Sequence, residues 1–387
     1  MTDKVAILTN IPTPYTLPII RELVRYCDLL VVFDDHSEPN REWSLSEQDL
    51  EFRHTFAKGV SLRYRRTHPV TGARDERYLQ IRYGVLPALH AFKPRLVASA
   101  QLGVRTALAA AYCKATGTPL VVGWEGTRHS EKHVSAGRVL FRRLLLKTAD
   151  RIVSNGRESA ALLLQYGVSP DSIDEITMGV DTRFYASEAN NLTTHRARIR
   201  SELGVAEVVL LFVGQLIERK GLRQYLEALG KLYDTGLRGW SAVFVGSGPM
   251  EGALRDWRSK HPDVPVNISG FVPPQALPRF FAAADVFVMP SLEDVWGMVG
   301  LEAAVSGLPQ IFSVYSGATY DLLHDERVGR IVDPLKVSQL TLALQYYIEN
   351  PPPRLPDKLV RDFVDHYSPE RVAARWWSCF QKALKQQ

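Results

Sequence analysis

The sequence is poor in cysteine and has no long hydrophobic run. Its 387 residues include three cysteines, Cys27, Cys113 and Cys379, which are far apart and odd in number. This count argues against a disulfide framework or a zinc site and favours a reducing cytoplasm. No apolar run reaches the roughly 18 residues that a membrane span needs, and the N-terminus has no signal-peptide pattern. We therefore expect a cytoplasmic protein without a membrane-spanning segment.

Two common nucleotide-binding motifs are also missing. The sequence contains neither the G-x-G-x-x-G dinucleotide fingerprint nor the G-x-x-x-x-G-K-[ST] phosphate loop. Chemistry that depends on a nicotinamide cofactor or on a P-loop is therefore disfavoured.

The net charge of +5 comes entirely from the first half of the chain. Residues 1–180 carry 24 Lys and Arg against 19 Asp and Glu, and the remainder carries 23 of each. Cations concentrate at Arg63–Arg66 and Phe141–Lys147. They form either a solvated face or a surface that attracts an anionic partner, such as a membrane or a phosphorylated lipid. Nucleic acid is disfavoured, because basic and aromatic residues do not alternate over any long stretch.

Short apolar runs alternate with helical patterns along the whole chain. Strands are predicted at 5–9, 29–33, 95–100, 119–124, 151–155, 208–213, 241–246, 266–269, 285–290 and 309–313. Helices are predicted at 77–92, 104–116, 133–149, 221–234, 249–260, 275–284, 299–306 and 335–349. Apolar strands alternating with helices indicate parallel sheets covered on both faces. The two series predict an α/β protein with two doubly wound domains.

The polar, turn-prone segment 178–195 separates the two series. We assign residues 1–182 to the first domain, 183–365 to the second and 366–387 to a C-terminal helix. Ser368 and Pro369 are typical of a helix start. Because this helix carries three large aromatic side chains, it is expected to pack back on the first domain.

Cations and glycines follow the first strands of the second domain. Gly214 follows the strand at 208–213, and Arg219 and Lys220 precede a helix that starts near Gly221. Two cations beside a helix N-terminus suit a diphosphate, although they are also compatible with a solvated helix start. The segment Gly246–Pro249 places two glycines and a capping serine before the next helix, which alone is a weak signal.

Two carboxylates surround a glycine turn at Ser291–Pro309. Asp294 lies in the loop, Gly297 permits unusual backbone angles, and Glu302 falls in the first turns of a helix that starts near Met298. Carboxylates accept hydrogen bonds from hydroxyls, and helix-start amides bind phosphate. A nucleotide sugar fits this arrangement; the alternative is that Glu302 only stabilises the helix start.

At these positions the sequence resembles the retaining glycosyltransferases of family 4, the glycosyl transferases group 1. Segment 290–309 resembles the family's PS-x-x-E-G-F-G-x-x-x-x-E-A-M-A-x-G-x-P, so its E-x7-E motif falls on Asp294 and Glu302. Segments 213–221, 244–249, 178–181 and 268–272 resemble its G-R-L-x-x-x-K-G, G-x-G-P, N-G-V-D and G-x-V motifs. The resemblance covers most of the chain and implies the GT-B fold, with two Rossmann-like domains facing each other across a cleft.

The resemblance also implies roles for the motif residues. Glu302 would bind the ribose hydroxyls, and Asp294 would contact hydroxyls of the transferred sugar. Arg219 and Lys220 would neutralise the leaving diphosphate, so that no metal is needed; the lack of a D-x-D motif agrees. Further donor contacts are expected at Gly214, Gln215, Gly246, Gly248, Val272, Gly297, Met298 and Val299.

Some positions depart from the family pattern. Gln215 replaces an arginine, and Arg219 is expected to supply that charge; Asp294 replaces the first glutamate. The family's histidine after the strand at 119–124, which touches the donor sugar, is replaced by Glu125, the candidate for this catalytic role, and His129 is the alternative.

The N-terminal part departs as well. Asn10–Pro18 takes the place of the family's Gly-Gly loop, so Pro14 and Tyr15 are expected to border the acceptor, together with His129. The adjacent acids Asp34 and Asp35 are assigned to a loop without a metal role.

These observations predict a retaining, metal-independent glycosyltransferase. It would move a sugar from a nucleotide-diphosphate donor to a glycan, polyprenyl-linked or glycolipid acceptor in polysaccharide or surface glycan synthesis. The basic first domain predicts peripheral contact with the inner face of an anionic membrane; no cofactor and no nucleic-acid partner are expected. Two alternatives remain: a nucleotide-sugar epimerase or hydrolase on the same fold, and a non-catalytic sugar-nucleotide-binding protein.

Overall fold

The structure is a computed structural model that describes residues 2–37, 49–67, 72, 74–205 and 207–385. The chain forms two compact units, Met1–Val180 with Tyr367–Gln387, and Asp181–His366. The second unit is therefore inserted into the sequence of the first.

The strands, in chain order, are β1 Lys4–Thr9, β2 Asp28–Phe33, β3 His54–Phe56, β4 Val60–Thr67, β5 Arg74–Ile81, β6 Leu96–Ala100, β7 Leu120–Trp124, β8 Arg151–Ser154, β9 Ile173–Glu175, β10 Val208–Val213, β11 Trp240–Val245, β12 Val266–Ile268, β13 Val286–Met289, β14 Gln310–Ser313 and β15 Gly329–Val332. The helices are α1 Thr16–Leu23, α2 Val85–Phe92, α3 Val104–Thr116, α4 Ala136–Leu146, α5 Arg157–Gln165, α6 Thr182–Thr193, α7 Arg196–Leu203, α8 Leu222–Asp234, α9 Glu251–Lys260, α10 Pro278–Ala283, α11 Met298–Val305, α12 Thr319–Leu322, α13 Val337–Glu349, α14 Asp357–Tyr367 and α15 Pro369–Lys385.

Each unit is built around a parallel sheet, as predicted. The strand order is β3-β2-β1-β6-β7-β8-β9 in the first unit and β12-β11-β10-β13-β14-β15 in the second. Their apolar strands are buried on both faces: Val121 packs on the side of α1 and α15, and its neighbour Val122 packs on the side of α2 and α3. The α/β, doubly wound architecture expected from the sequence is confirmed.

The C-terminal helix α15 completes the first unit. Its residues Val372, Cys379 and Phe380 are buried in the cluster that covers one face of the first sheet. The Ser368 hydroxyl accepts a hydrogen bond from the Arg371 amide at 3.3 Å, so Ser368 caps the helix as expected. The predicted packing of this helix on the first unit is also confirmed.

Two predictions of secondary structure were wrong. The stretch 77–92 is not one helix: residues 74–81 form β5, which pairs antiparallel with β4, and the helix α2 begins only at Val85. The segment 178–195 is not a turn-prone linker, because residues 182–193 form α6, capped by the Asp181 carboxylate through the Phe184 amide at 3.0 Å. At 74–81 the pairing with β4 outweighs the helical pattern, and at 182–193 the packing of α6 against α10 and α11 outweighs the turn-prone composition.

None of the helices within the described ranges is both long and apolar enough to cross a membrane.

Candidate functional site

The carboxyl ends of β10, β11 and β12 are joined by backbone hydrogen bonds. The Gly214 amide donates to the Val245 carbonyl at 2.9 Å, and the Gly246 amide donates to the Gly270 carbonyl at 2.7 Å. The predicted donor residues Gly214, Gly246 and Gly248 therefore belong to one edge of the second sheet, where ligands of such folds bind. Gln215 and Val272 are half-buried at the same strand ends. The predicted serine cap of the following helix was wrong, because Met250 is the N-cap of α9.

The turn that carries Arg219 and Lys220 is held against the segment after β13. Residues Glu218–Lys220 form one 3-10 turn, which ends at Gly221 with a φ of 74°. A Cβ atom on Gly221 would lie 1.8 Å from the Pro290 carbonyl oxygen. The Leu292 amide donates to the Arg219 carbonyl at 2.8 Å, which fixes the two loops side by side.

We expect Gly221→Ala to lower the free energy of unfolding more than Gly236→Ala does. Gly236 has a similar φ of 80°, but a Cβ there would meet no atom of the described residues within 4 Å. Both changes add backbone strain of about 1–2 kcal/mol, and the clash at Gly221 adds about 1–3 kcal/mol more. Denaturant unfolding of the two variants measures the difference; equal losses would contradict the close packing at Pro290.

An ion pair joins this turn to the predicted carboxylate. The Lys220 ammonium donates to Asp294 Oδ2 at 2.5 Å, and Arg219 Nη1 donates to the Glu293 carbonyl at 3.0 Å. Burial tends to raise the pKa of Asp294, but the charges of Lys220 and Arg219 and a hydrogen bond from the Trp296 amide hold it below its usual value. Asp294 is therefore ionised at neutral pH, and the structure brings three predicted residues together.

The start of helix α11 is fixed by buried contacts. Gly297, its N-cap, has a φ of 99°, and a Cβ there would lie 2.6 Å from the terminal methyl of Met289. The Trp296 indole donates to the Asp321 carboxylate at 2.8 Å, and the Ser316 hydroxyl donates to the Trp296 carbonyl at 2.6 Å. A glycine N-cap contributes no side chain, so no side chain caps the first amides of α11. Met298 and Val299, the first two residues of the helix, are half-buried.

Glu302 lies on α11 in a different environment from Asp294. Its side chain is hydrogen-bonded to Tyr185, and its Oε2 is buried without a partner among the described residues. Burial raises the pKa of Glu302 to about 8, and the Tyr185 hydrogen bond offsets only part of this shift. The Glu302 carboxyl group is therefore largely neutral at pH 7. That Glu302 and Asp294 contact one ligand stays a prediction.

The loop after β7 carries the other predicted catalytic residue. Glu125 is half-buried, and burial raises its pKa, partly offset by the Arg105 guanidinium. The Thr127 amide donates to the Ser130 hydroxyl at 2.9 Å, and the Ser130 amide donates to the Thr127 hydroxyl at 3.1 Å, which orders the turn that contains half-buried His129.

The predicted acceptor-side residues of the N-terminal loop stand at the start of a helix. Pro14 and Tyr15 are half-buried, and Tyr15 is the N-cap of α1, a helix that was not predicted from the sequence. The Thr13 hydroxyl accepts a hydrogen bond from the Thr16 amide at 3.0 Å, which orders the start of this helix.

A buried polar network at the first sheet was not predicted. Arg105 forms an ion pair with Asp34 and also donates to the Asn10 amide oxygen at 2.9 Å. Arg82 donates to Asp35 at 3.1 Å. Burial raises the pKa of Asp34, and the guanidiniums of Arg105 and Arg82 offset part of this. The sequence position of two of these residues could have indicated the network. Asn10 directly follows β1 and Asp34 directly follows β2, and ligand sites of such folds form at the carboxyl ends of the strands.

Within the described residues, no three His, Cys, Asp or Glu side chains are grouped so that they could hold a metal ion.

Both parts of the chain match known family models. Residues 195–362 match the model of glycosyl transferases group 1, and residues 12–179 match the model of the glycosyl transferase 4-like domain. Similar curated proteins include D-inositol 3-phosphate glycosyltransferases of Rhodococcus jostii, 28% identical over 56% of this chain and 48% of the relative, and of Saccharomonospora viridis, 32% identical over 50% of this chain and 46% of the relative. The matches thus span about half the length of these relatives.

Solved structures share the fold over nearly the whole chain. Anabaena Alr3699/HepE in complex with UDP superposes with a TM-score of 0.74 at 17% identity, covering 98% of this chain and 99% of that one. A glycosyltransferase from Rickettsia africae gives a TM-score of 0.75 at 12% identity and covers 100% of both chains. Identities this low show a common fold and nothing finer. The two family models show that the chain belongs to the glycosyl transferases group 1, the family 4 glycosyltransferases, and the solved structures show that it has their GT-B fold.

Proposed function

We propose that the protein is a retaining, metal-independent glycosyltransferase that uses a nucleotide-diphosphate sugar. The observation that carries this proposal is the Lys220–Asp294 ion pair, with Arg219 beside it, next to the glycine-capped start of α11. Cations and helix-start amides suit a diphosphate, and the adjacent carboxylate suits sugar hydroxyls. Family membership supports the same function.

In the proposed reaction the bond between the anomeric carbon and the diphosphate oxygen breaks. The acceptor hydroxyl attacks from the same face, and its proton passes to the leaving phosphate oxygen, so no dedicated protein base is required. Lys220 and Arg219 stabilise the charge that develops on the diphosphate, which is the task that a metal performs elsewhere. Asp294 orients the sugar, and Glu302 accepts hydrogen bonds from the ribose hydroxyls.

We further propose that the first unit binds the acceptor, a glycan or lipid-linked sugar of surface glycan synthesis. His129, Pro14 and Tyr15 are the proposed acceptor contacts, and Glu125 is the proposed catalytic residue of this unit. The excess of cations in residues 1–180 supports peripheral contact of a cytoplasmic enzyme with an anionic membrane.

A thermal-shift screen against UDP, GDP, ADP, CDP and TDP, with and without magnesium, tests the donor site. A ligand that binds only the folded state raises its melting temperature. UDP is the first choice, because the similar Anabaena structure contains it. We expect one nucleotide to raise the melting temperature without magnesium. That shift should disappear in Glu302→Ala and persist in the surface control Glu227→Ala.

Product analysis then separates the alternatives. Transfer to an acceptor supports the proposal; sugar release or isomerisation from the donor alone would indicate a hydrolase or epimerase. Tight donor binding without turnover would indicate a binding protein. No shift with any nucleotide, or a shift that survives Glu302→Ala, would contradict the assigned donor site.

A further inference from the structure

The second unit contains a cavity of about 400 Å³ that the proposed function does not use. It lies between the second half of α6, the end of α11 and the helix α14 with the segment before it. Its apolar lining includes Ala189, Val305, Val360 and Val364. A cavity of this volume is within the range of small-molecule sites.

The cavity is separate from the proposed donor site. Helix α11 starts beside that site, with Gly297 as its N-cap, and reaches the cavity only at its other end, with Val305 and Ser306. The helix Met298–Val305 is about 12 Å long at 1.5 Å per residue. A ligand in the cavity would therefore not occupy the place of the nucleotide.

One cation of the cavity is bonded only to carbonyl groups. Arg354 Nη1 donates to the Ser306 carbonyl at 3.2 Å, and Nη2 donates to the carbonyls of Phe281, Ala282 and Ala284 at 3.0, 2.8 and 3.1 Å. These carbonyls belong to the ends of α10 and α11, where a positive charge is favourable. Among the described residues, Arg354 Nε has no acceptor, and no carboxylate forms an ion pair with this guanidinium.

The surroundings of Arg354 are rich in positive charge. Arg196 and Arg200 both pair with the Asp285 carboxylate. Burial and the charge of Arg196 lower the pKa of Arg354 to about 10, an effect that Asp285 offsets only in part. Arg354 is still charged at pH 7. A negatively charged group in the cavity would supply the counter-charge that the protein does not provide.

Further polar groups line the same cavity. Arg361 is exposed and has no ion-pair partner among the described residues, and Asp357 is the one acid of the lining against two arginines. Ser306 is buried, and its hydroxyl has no hydrogen-bond partner within the described ranges. Buried hydroxyls normally have a partner, so a polar ligand group would satisfy Ser306 as well.

We propose that this cavity binds a small organic anion. A phosphate or carboxylate group would contact Arg354 and Arg361, because guanidinium groups bind both anions well. A short apolar part would pack against Ala189, Val305 and Val360. A purely apolar ligand would leave the charge of Arg354 without compensation. The site requires neither donor nor acceptor and so goes beyond the proposed function.

Isothermal titration calorimetry of the full chain tests this site with phenyl phosphate, benzoate and the neutral benzyl alcohol. We expect saturable binding of the two anions and none of the alcohol. Binding should be roughly tenfold or more weaker in Ala189→Phe, which fills the cavity, and in Arg361→Glu, which reverses an exposed charge. The matched controls Ser187→Phe on α6 and Arg258→Glu on α9 change exposed residues outside the lining and should bind like the wild type.

Lys220→Met separates this site from the proposed donor site, which also attracts phosphate. Anion binding that Ala189→Phe weakens should persist in Lys220→Met. The proposal is overturned if neither anion binds, if benzyl alcohol binds as tightly as benzoate, if the cavity variants bind like their controls, or if Lys220→Met alone abolishes binding. Unchanged melting temperatures without ligand exclude misfolding of the variants. Anion binding without any nucleotide-induced shift would contradict only the proposed function.

Discussion

Replacing Lys220 with methionine is expected to lower the turnover number by about 10²–10³-fold, the usual effect of losing one group that stabilises transition-state charge. Lys220 is 2.5 Å from Asp294 Oδ2, while Arg219 is bonded to a backbone carbonyl. Without the ammonium, the proposed diphosphate site loses one of its two cations and the buried Asp294 carboxylate loses its counter-charge. The variant should therefore be both slow and less stable.

Three comparisons make this prediction specific. Lys231→Met removes an exposed lysine of α8 that pairs with Glu227 and should change neither property. In Lys220→Met the pKa of Asp294 should rise, because the charge and hydrogen bond of Lys220 no longer lower it, so the rise of kcat/KM with pH should move to higher pH. Adding Asp294→Asn should restore stability but not turnover. Near-normal turnover of Lys220→Met would contradict the role of Lys220 at the diphosphate.

Replacing Glu302 with glutamine is expected to stabilise the ligand-free protein at alkaline pH and to weaken donor binding. The pKa of Glu302 is about 8 in the folded state against 4.5 for an ordinary glutamate. Below pH 4.5 the carboxyl group is protonated in both states and has no effect. Between pH 4.5 and 8 the unfolded state releases the proton first, so folding stability falls as pH rises. Above pH 8 the loss is complete, on the order of 5 kcal/mol.

Melting temperatures at pH 5 and pH 9 measure this effect. Glu302→Gln should melt close to the wild type at pH 5 and roughly 10 °C higher at pH 9. The exposed control Glu227→Gln should show no such difference. At pH 9, where the wild-type group is ionised, the nucleotide-induced shift should be smaller in Glu302→Gln, since an amide offers the ribose hydroxyls one acceptor oxygen and a carboxylate offers two. A wild type more stable than the variant at pH 9 would contradict the buried carboxyl group.

The sequence was sufficient to predict the sheets and most of the elements around them. The strand at 208–213 and the helix at 104–116 have the predicted bounds, because continuous apolar residues and a glycine after the helix leave little choice. The prediction of a helix over 77–92 was wrong at its start, because residues 74–81 form a strand that is paired with β4. That pairing is a contact between segments, which local periodicity does not reveal.

The candidate site was predictable where its chemistry is local in sequence. Asp294, Gly297 and Glu302 belong to one short segment, and the cations of the turn before α8 follow one strand. Tyr185 was missed because its contact with Glu302 joins α6 to α11. The ion pair between Asp34 and Arg105 was missed for the same reason: its partners are 71 residues apart and meet only in the folded sheet.

The insertion of the second unit determines the order of events during synthesis. When a ribosome has released residues up to 366, the second unit is complete and can fold, but the first still lacks α15. Until that helix emerges, the sheet face that Val372, Cys379 and Phe380 cover remains open to water and to chaperones. A gene fusion or graft that exchanges the N-terminal half must therefore carry the last helix with it.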